Sequence, residues 1–215
     1  MSSSAWQLYV IVDRAAAGTR PLAEVASAAI RGGADVIQLR DKAAPPELVR
    51  EEAERLLAVT RPARVPLIIN DHVAVARQVR AAGVHLGQDD LPIDQARRLL
   101  EPEQLIGRST HSVEQALAAV REGADYIGLG PIFPTPTKPD YRSIGPEVIR
   151  TVSAQVRVPV VCIGGIEGGT VEEVLQAGAS CVAVVRAVCA AEEPEAATRC
   201  LKRTLEQFHR ASSRS

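Results

Sequence analysis

Eight short apolar runs, each separated from the next by a longer stretch, constrain this chain more than any other feature. They fall at residues 8–12, 36–40, 66–70, 84–87, 105–109, 126–130, 158–164 and 181–188. Each is nearly continuous in branched aliphatic residues and bounded by glycine or polar residues, as strands buried on both faces are. Between them, residues 45–59 repeat Leu48, Val49, Ala53, Leu56 and Leu57 near helical spacing, and residues 113–120 do likewise. An eighth helix is expected over residues 194–209. A weak internal repeat points the same way. Gly33, Gly83, Gly123 and Gly178 each stand at the passage from helix into strand, where glycine ends a helix in the left-handed region.

Eight such units predict an α/β fold, a single (β/α)8 TIM barrel with a parallel eight-stranded core, spanning residues 1–215 as one domain. A chain of 215 residues that is 46% hydrophobic can fill that core. An open doubly wound sheet is the other arrangement to weigh. Against it, the first run ends Ile11-Val12-Asp13-Arg14 with no G-x-G-x-x-G after it.

In a barrel of this kind the loops after the strands carry the chemistry, and reactive residues gather there. Run two ends Gln38-Leu39-Arg40-Asp41-Lys42. Alternation places Gln38, Arg40 and Lys42 inward if Ile37 and Leu39 face the helices, and two cations with an amide can clamp a diphosphate as well as form a solvated charge cluster. Run three ends Asn70-Asp71 and run four ends Gly87-Gln88-Asp89-Asp90. Asp71 and Asp90 become candidate ligands for Mg²⁺, which takes one or two carboxylates and completes its shell with water and phosphate oxygens. Asp89 is an alternative ligand or a helix-capping acid. Run six leads into Gly130-Pro-Ile-Phe-Pro-Thr-Pro-Thr-Lys-Pro139, where prolines restrict the loop and Thr135, Thr137 and Lys138 supply donors to an anion. Gly164-Gly165 after run seven allows backbone amides to approach a phosphate, or makes an ordinary tight turn.

These motifs together closely resemble the thiamine-phosphate synthase family, from Gln38-Leu-Arg-Asp-Lys42 through residues 181–185. The resemblance implies a transferase that joins a pyrimidine methyl diphosphate to a thiazole phosphate, carboxylated or not, and releases pyrophosphate by a dissociative, Mg²⁺-assisted route. It implies that Gln38, Arg40, Lys42, Asn70 and Lys138 hold the diphosphate, that Asp71 and Asp90 hold Mg²⁺, and that Ser109 lies near the pyrophosphate. Arg40, Lys42, Ser109 and Lys138 would be the catalytic group. Thr135, Thr137, Gly165, Val185 and Arg186 match the thiazole-phosphate contacts, with one departure: Arg186 stands where the family commonly carries a serine.

Two other functions fit parts of this pattern. A thiazole tautomerase on the same fold would keep the phosphate cup and use His111, in Gly107-Arg-Ser-Thr-His111, as acid or base. A non-catalytic regulator would bind a thiamine precursor without converting it. The joint presence of Asp71, Asp90, Gln38, Arg40 and Lys42 favours the synthase, because a tautomerase has no diphosphate to bind. His72, His85 and His209 read as structural.

The charge balance of 25 Lys plus Arg against 26 Asp plus Glu leaves no broad basic face for nucleic acid or an anionic membrane, so small-molecule partners are expected. Residues 1–5 lack the basic start and apolar stretch of a secretory signal. Cys162, Cys181, Cys189 and Cys200 form no CxxC pair and sit mostly in apolar company. A cytoplasmic protein is therefore expected, and the resemblance makes a homodimer plausible.

Overall fold

The eight runs form eight parallel strands that close on themselves in chain order, β1 beside β2 and β8 back beside β1. They are β1 Leu8–Asp13, β2 Val36–Arg40, β3 Leu67–Asn70, β4 Gly83–Leu86, β5 Leu105–Thr110, β6 Tyr126–Leu129, β7 Val160–Ile163 and β8 Cys181–Val184. This computed structural model describes residues 6–136 and 142–212. The expected TIM barrel is borne out.

Period-two alternation divides each strand between two cores. Leu8, Val10, Val12, Ile37, Leu39, Ile69 and Val84 face outward into a large cluster shared with the helices. Tyr9, Ile11, Val36, Ile68, Tyr126, Val161 and Ala183 fill the barrel interior with Trp6. Trp6 packs edge-on against Tyr9 and Tyr126, with ring centroids 5.9 and 5.5 Å apart, below the N-terminal end of β1. Aromatic pairs in this geometry contribute roughly 0.5–1.5 kcal/mol beyond the area they bury.

The helices that cover the barrel include α2 Leu22–Arg31, α3 Pro46–Ala63, α6 Val113–Arg121, α8 Val171–Gln176 and α10 Pro194–Ser212. The glycine repeat marks their ends at three of the four expected places. Gly33, Gly123 and Gly178 have φ of 99°, 96° and 104°. At each, the next residue's amide reaches back five positions, as in Ala34 N–H to Ala29 C=O at 3.0 Å, which satisfies carbonyls that a helix end leaves open. Gly83 does not belong to the set. It opens β4, and a Cβ there would lie 2.2 Å from the Leu105 carbonyl oxygen, so it is glycine because two strands approach closely. Arg80, at φ 52°, takes the helix-ending role in that unit.

The chain also carries short helices that the periodicity did not predict. One is α1 Arg14–Ala17, capped by the Asp13 carboxylate accepting from the Ala16 amide at 2.9 Å. The other is α9 Arg186–Cys189. Its presence shortens the eighth strand from the expected 181–188 to Cys181–Val184, because an apolar run of that length cannot by itself distinguish strand from helix. The seventh strand likewise begins at Val160 and not at residue 158.

Candidate active site

A cavity of about 400 Å³ opens at the C-terminal end of the barrel. Its walls include Gln38, Arg40, Asn70, Ser109, Gly165 and Arg186, six of the residues singled out in the sequence. Thr135 and Val185 line it too. Thr137 and Lys138 lie outside the described residues.

Gln38 is 2% exposed and donates its side-chain amide to the Tyr9 hydroxyl at 2.7 Å. Two residues further along, Arg40 is ion-paired with Asp13, itself only 3% exposed. The register explains the pair, since Asp13 on β1 lies directly opposite Arg40 on β2. The guanidinium is thus held in place by a buried carboxylate before any ligand arrives. Lys42 is beyond the strand and half exposed, and its ammonium stands 3.4 Å from Asp71.

Asp71 and Asp90 meet just past the ends of β3 and β4; with Lys42 they stand outside the lining of the cavity, Asp71 next along the chain from its wall residue Asn70. Asp71 has φ 64°, a left-handed conformation that costs a non-glycine residue energy. Its amide donates to the His85 carbonyl at 2.9 Å and so ties the β3 end to β4. Burial, and then a hydrogen bond and repulsion from the Asp90 carboxylate, push Asp71 up to about 6. Burial works against the Asp90 charge as well. The hydrogen bond from Asp71 and the Gly87 amide at 2.6 Å outweigh it and hold Asp90 below the usual carboxylate range. Below about pH 6 the proton of the pair therefore sits on Asp71, hydrogen-bonded to an ionised Asp90. Buried Arg108 braces the loop bearing Asp90 by donating to the Leu91 and Gln88 carbonyls at 3.2 and 3.1 Å. Of the two acids weighed after the fourth strand, Asp90 is the one that meets Asp71.

The opposite wall is built from glycines that cannot be replaced without collision. A Cβ on Gly164, at φ 104°, would lie 2.5 Å from Pro131 Cα, and one on Gly165, at φ 64°, would lie 2.7 Å from Phe133 Cβ. The loop after β6 packs onto this turn, with the Phe133 amide donating to the Gly164 carbonyl at 3.0 Å. Gly165 faces the start of α9, where Val185 and Arg186 also line the cavity. Arg186 is exposed.

A family model described as thiamine monophosphate synthase matches residues 8–188, which takes in every strand and the barrel mouth. The chain belongs to the thiamine monophosphate synthase family. The thiamine-phosphate synthase of Roseiflexus sp. (strain RS-1) is 49% identical over 195 residues, covering 90% of this chain and 83% of that protein. That of Shouchella clausii (strain KSM-K16) is 44% identical over 203 residues, covering 94% and 97%. Among solved structures, thiamine phosphate pyrophosphorylase from Pyrococcus furiosus superposes with a TM-score of 0.88 at 40% identity, covering 94% of this chain and 96% of that one. The family resemblance read from the motifs is borne out.

Some residues of this thiamine monophosphate synthase family site were not visible in the sequence. Asp13 was passed over as the end of a strand, although an acid opposite Arg40 becomes apparent once the first two strands are aligned. His85, read as structural, lines the cavity and bonds Ser109 through Nε2 at 3.0 Å. Its position in β4, two residues before the Gly87 that bonds Asp90, was the available signal. His111, which the sequence did offer as the acid or base of a tautomerase, lines the cavity too, and its Nδ1 donates to the Gly130 carbonyl.

Proposed function

We propose that this cavity condenses a pyrimidine methyl diphosphate with a thiazole phosphate, the reaction of its family, with the residue roles that follow. The observation that carries the reading is the paired Asp71 and Asp90, with Lys42 3.4 Å from Asp71 and Arg40 at the end of the adjoining strand β2. A diphosphate site needs both signs of charge, the acids for a cation and the cations for phosphate oxygens. A tautomerase would have use for neither.

Arg40, Lys42 and Lys138 hold the diphosphate, with Gln38 and Asn70 completing the contacts. Gly165, Thr135, Thr137 and the backbone at Val185 and Arg186 receive the thiazole phosphate. The bond between the pyrimidine methylene carbon and the diphosphate oxygen breaks with its electron pair leaving on pyrophosphate. The thiazole nitrogen lone pair then closes the new C–N bond. Positive charge fixed in place stabilises the leaving group without reorganisation at the moment of reaction.

Asp71 and Asp90 fit Mg²⁺. They are adjacent carboxylates that repel each other when both are charged, a cost that a bound cation would offset. Among the described residues no cluster of three or more His, Cys, Asp or Glu is placed to hold a metal, so substrate oxygens and water would complete the shell. When bound, the ion neutralises charge on the diphosphate.

Three buried cysteines, all free, support a reducing cytoplasmic setting. No helix among the described residues is long and apolar enough to cross a membrane. A homodimer is the assembly we propose.

The deciding assay measures pyrophosphate and thiamine phosphate formed from both substrates with and without Mg²⁺, and with Asp71→Ala and Asp90→Ala in parallel. Metal-dependent product, lost in both variants, is expected. Phosphate binding without product would move the reading to the tautomerase or the regulator. Arg186→Ser is expected to keep turnover within about tenfold, about 1.4 kcal/mol, because backbone amides hold the phosphate. A larger loss would show that the guanidinium itself carries the contact.

A further inference from the structure

Beneath the cavity a continuous chain of side-chain hydrogen bonds crosses the barrel. Gln38 donates to the Tyr9 hydroxyl at 2.7 Å, and the Tyr9 and Tyr126 hydroxyls are 3.1 Å apart. The Tyr126 hydroxyl lies 3.1 Å from His85 Nδ1, and His85 Nε2 lies 3.0 Å from Ser109 Oγ. Five residues from five different strands are linked in one line. Its two ends, Gln38 and Ser109, already have substrate roles in the family reading; Tyr9, Tyr126 and His85 between them have none.

The direction of this line follows from counting protons. Burial drives both phenols well above their ordinary range, so each keeps one proton to donate. Gln38 already donates to Tyr9, so the Tyr9 proton goes to Tyr126. Tyr126 must then spend its own proton on His85 Nδ1. A neutral imidazole that accepts at Nδ1 carries its proton at Nε2. Nε2–H donates to Ser109 Oγ, which leaves the serine proton pointing away from the line, toward the cavity that Ser109 lines.

The surrounding sequence makes room for this arrangement and for no other side chain. A Cβ on Gly107 would lie 2.1 Å from Tyr126 Cζ and 2.6 Å from His85 Nδ1. One on Gly128 would lie 3.2 Å from His85 Cε1. Two neighbouring strands are therefore stripped of side chains where the Tyr126–His85 contact passes.

We propose that Gln38, Tyr9, Tyr126 and His85 form a directional hydrogen-bond relay that fixes the Nε2–H tautomer of His85 and thereby aims the Ser109 hydroxyl proton at an anionic oxygen of the diphosphate. Tyr126 and His85 are positioning residues in this account, and Ser109 is the group that meets substrate. The inference rests on the diphosphate lying beside Ser109, as the family resemblance implies for the proposed reaction.

Two measurements on the full chain test it separately from that placement. In protein labelled with ¹⁵N-histidine, with His85→Asn used to assign the resonances, His85 is expected to show a neutral ring with Nδ1 unprotonated, and Tyr126→Phe is expected to shift it toward mixed tautomers. An imidazolium or an Nδ1–H tautomer in the unaltered protein would overturn the relay whatever the reaction proves to be. In single-turnover pyrophosphate release with Mg²⁺ and both substrates, Ser109→Ala should slow the step by roughly 10²-fold and Tyr126→Phe by roughly tenfold, and the double variant should match Ser109→Ala alone. Additive losses would overturn the coupling and mark Tyr126 as structural. A Ser109→Ala variant at full rate, with the Nε2–H tautomer observed, would instead displace the diphosphate from Ser109.

Discussion

Replacing Asp71 with asparagine is expected to give a protein that withstands heat better and barely turns over. Burial and the neighbouring Asp90 raise Asp71 to about 6 in the fold, so folding favours its protonated form. That contribution to stability is complete below the ordinary aspartate value, near pH 4, and is lost as the pH rises through about 6. At pH 7 the charged carboxylate is a burden on the metal-free protein. Asparagine stays neutral and tolerates the left-handed φ of 64°. The gain should be about 1 kcal/mol after allowance for solvent at the rim, or a rise in Tm of ~2–4 °C. Near pH 4 the two proteins should melt together. Turnover with Mg²⁺ should fall by about 10³-fold, about 4 kcal/mol. Mg²⁺ with a diphosphate should raise the melting temperature of the original protein and leave the variant unmoved. An Asp71→Asn protein with undiminished metal-dependent turnover would remove Asp71 from the cation site.

The second large effect falls on Arg40, whose loss is expected to damage stability and chemistry through different atoms. Arg40→Met strands the Asp13 carboxylate, which is 3% exposed and otherwise caps α1. Removing one partner of a buried pair costs roughly 3–5 kcal/mol, which in a chain of this size lowers Tm by roughly 6–20 °C. Adding Asp13→Asn should restore most of that stability, since asparagine caps a helix nearly as well and carries no charge to strand. Turnover should stay depressed by roughly 10²–10³-fold in the double variant, because the guanidinium proposed to face the diphosphate is still missing. Recovery of turnover along with stability would show that Arg40 serves only to neutralise Asp13.

The two charge effects differ in how far they could be read in advance. Asp71, Asp90, Arg40 and Lys42 stand at the ends of clearly apolar runs, and period-two alternation was enough to send them to one rim. What alternation does not convey is pairing across strands. Asp13 and Arg40 are 27 positions apart in the chain, and only the β1–β2 register sets them opposite each other. The same gap hid the line from Gln38 to Ser109, whose members come from five strands and whose tyrosines stand within the first and sixth apolar runs. The glycine repeat shows the limit from the other side. Gly33, Gly123 and Gly178 end helices as their spacing implies, whereas Gly83 looks identical in sequence and serves a close contact between strands. At the end of the eighth run, helix and strand were indistinguishable because both bury apolar residues, and the chain chose a short helix that presents Arg186 to the cavity.

Trp6 gives the barrel a closed end, and that fixes how molecules move through it. With the lower end stoppered by rings packed edge-on, the mouth at the C-terminal ends of the strands is the way in and out that the described residues leave. Both reactants therefore share that mouth, and both products leave by it. An intermediate formed between the two arrivals has no rear exit through which to be lost to water.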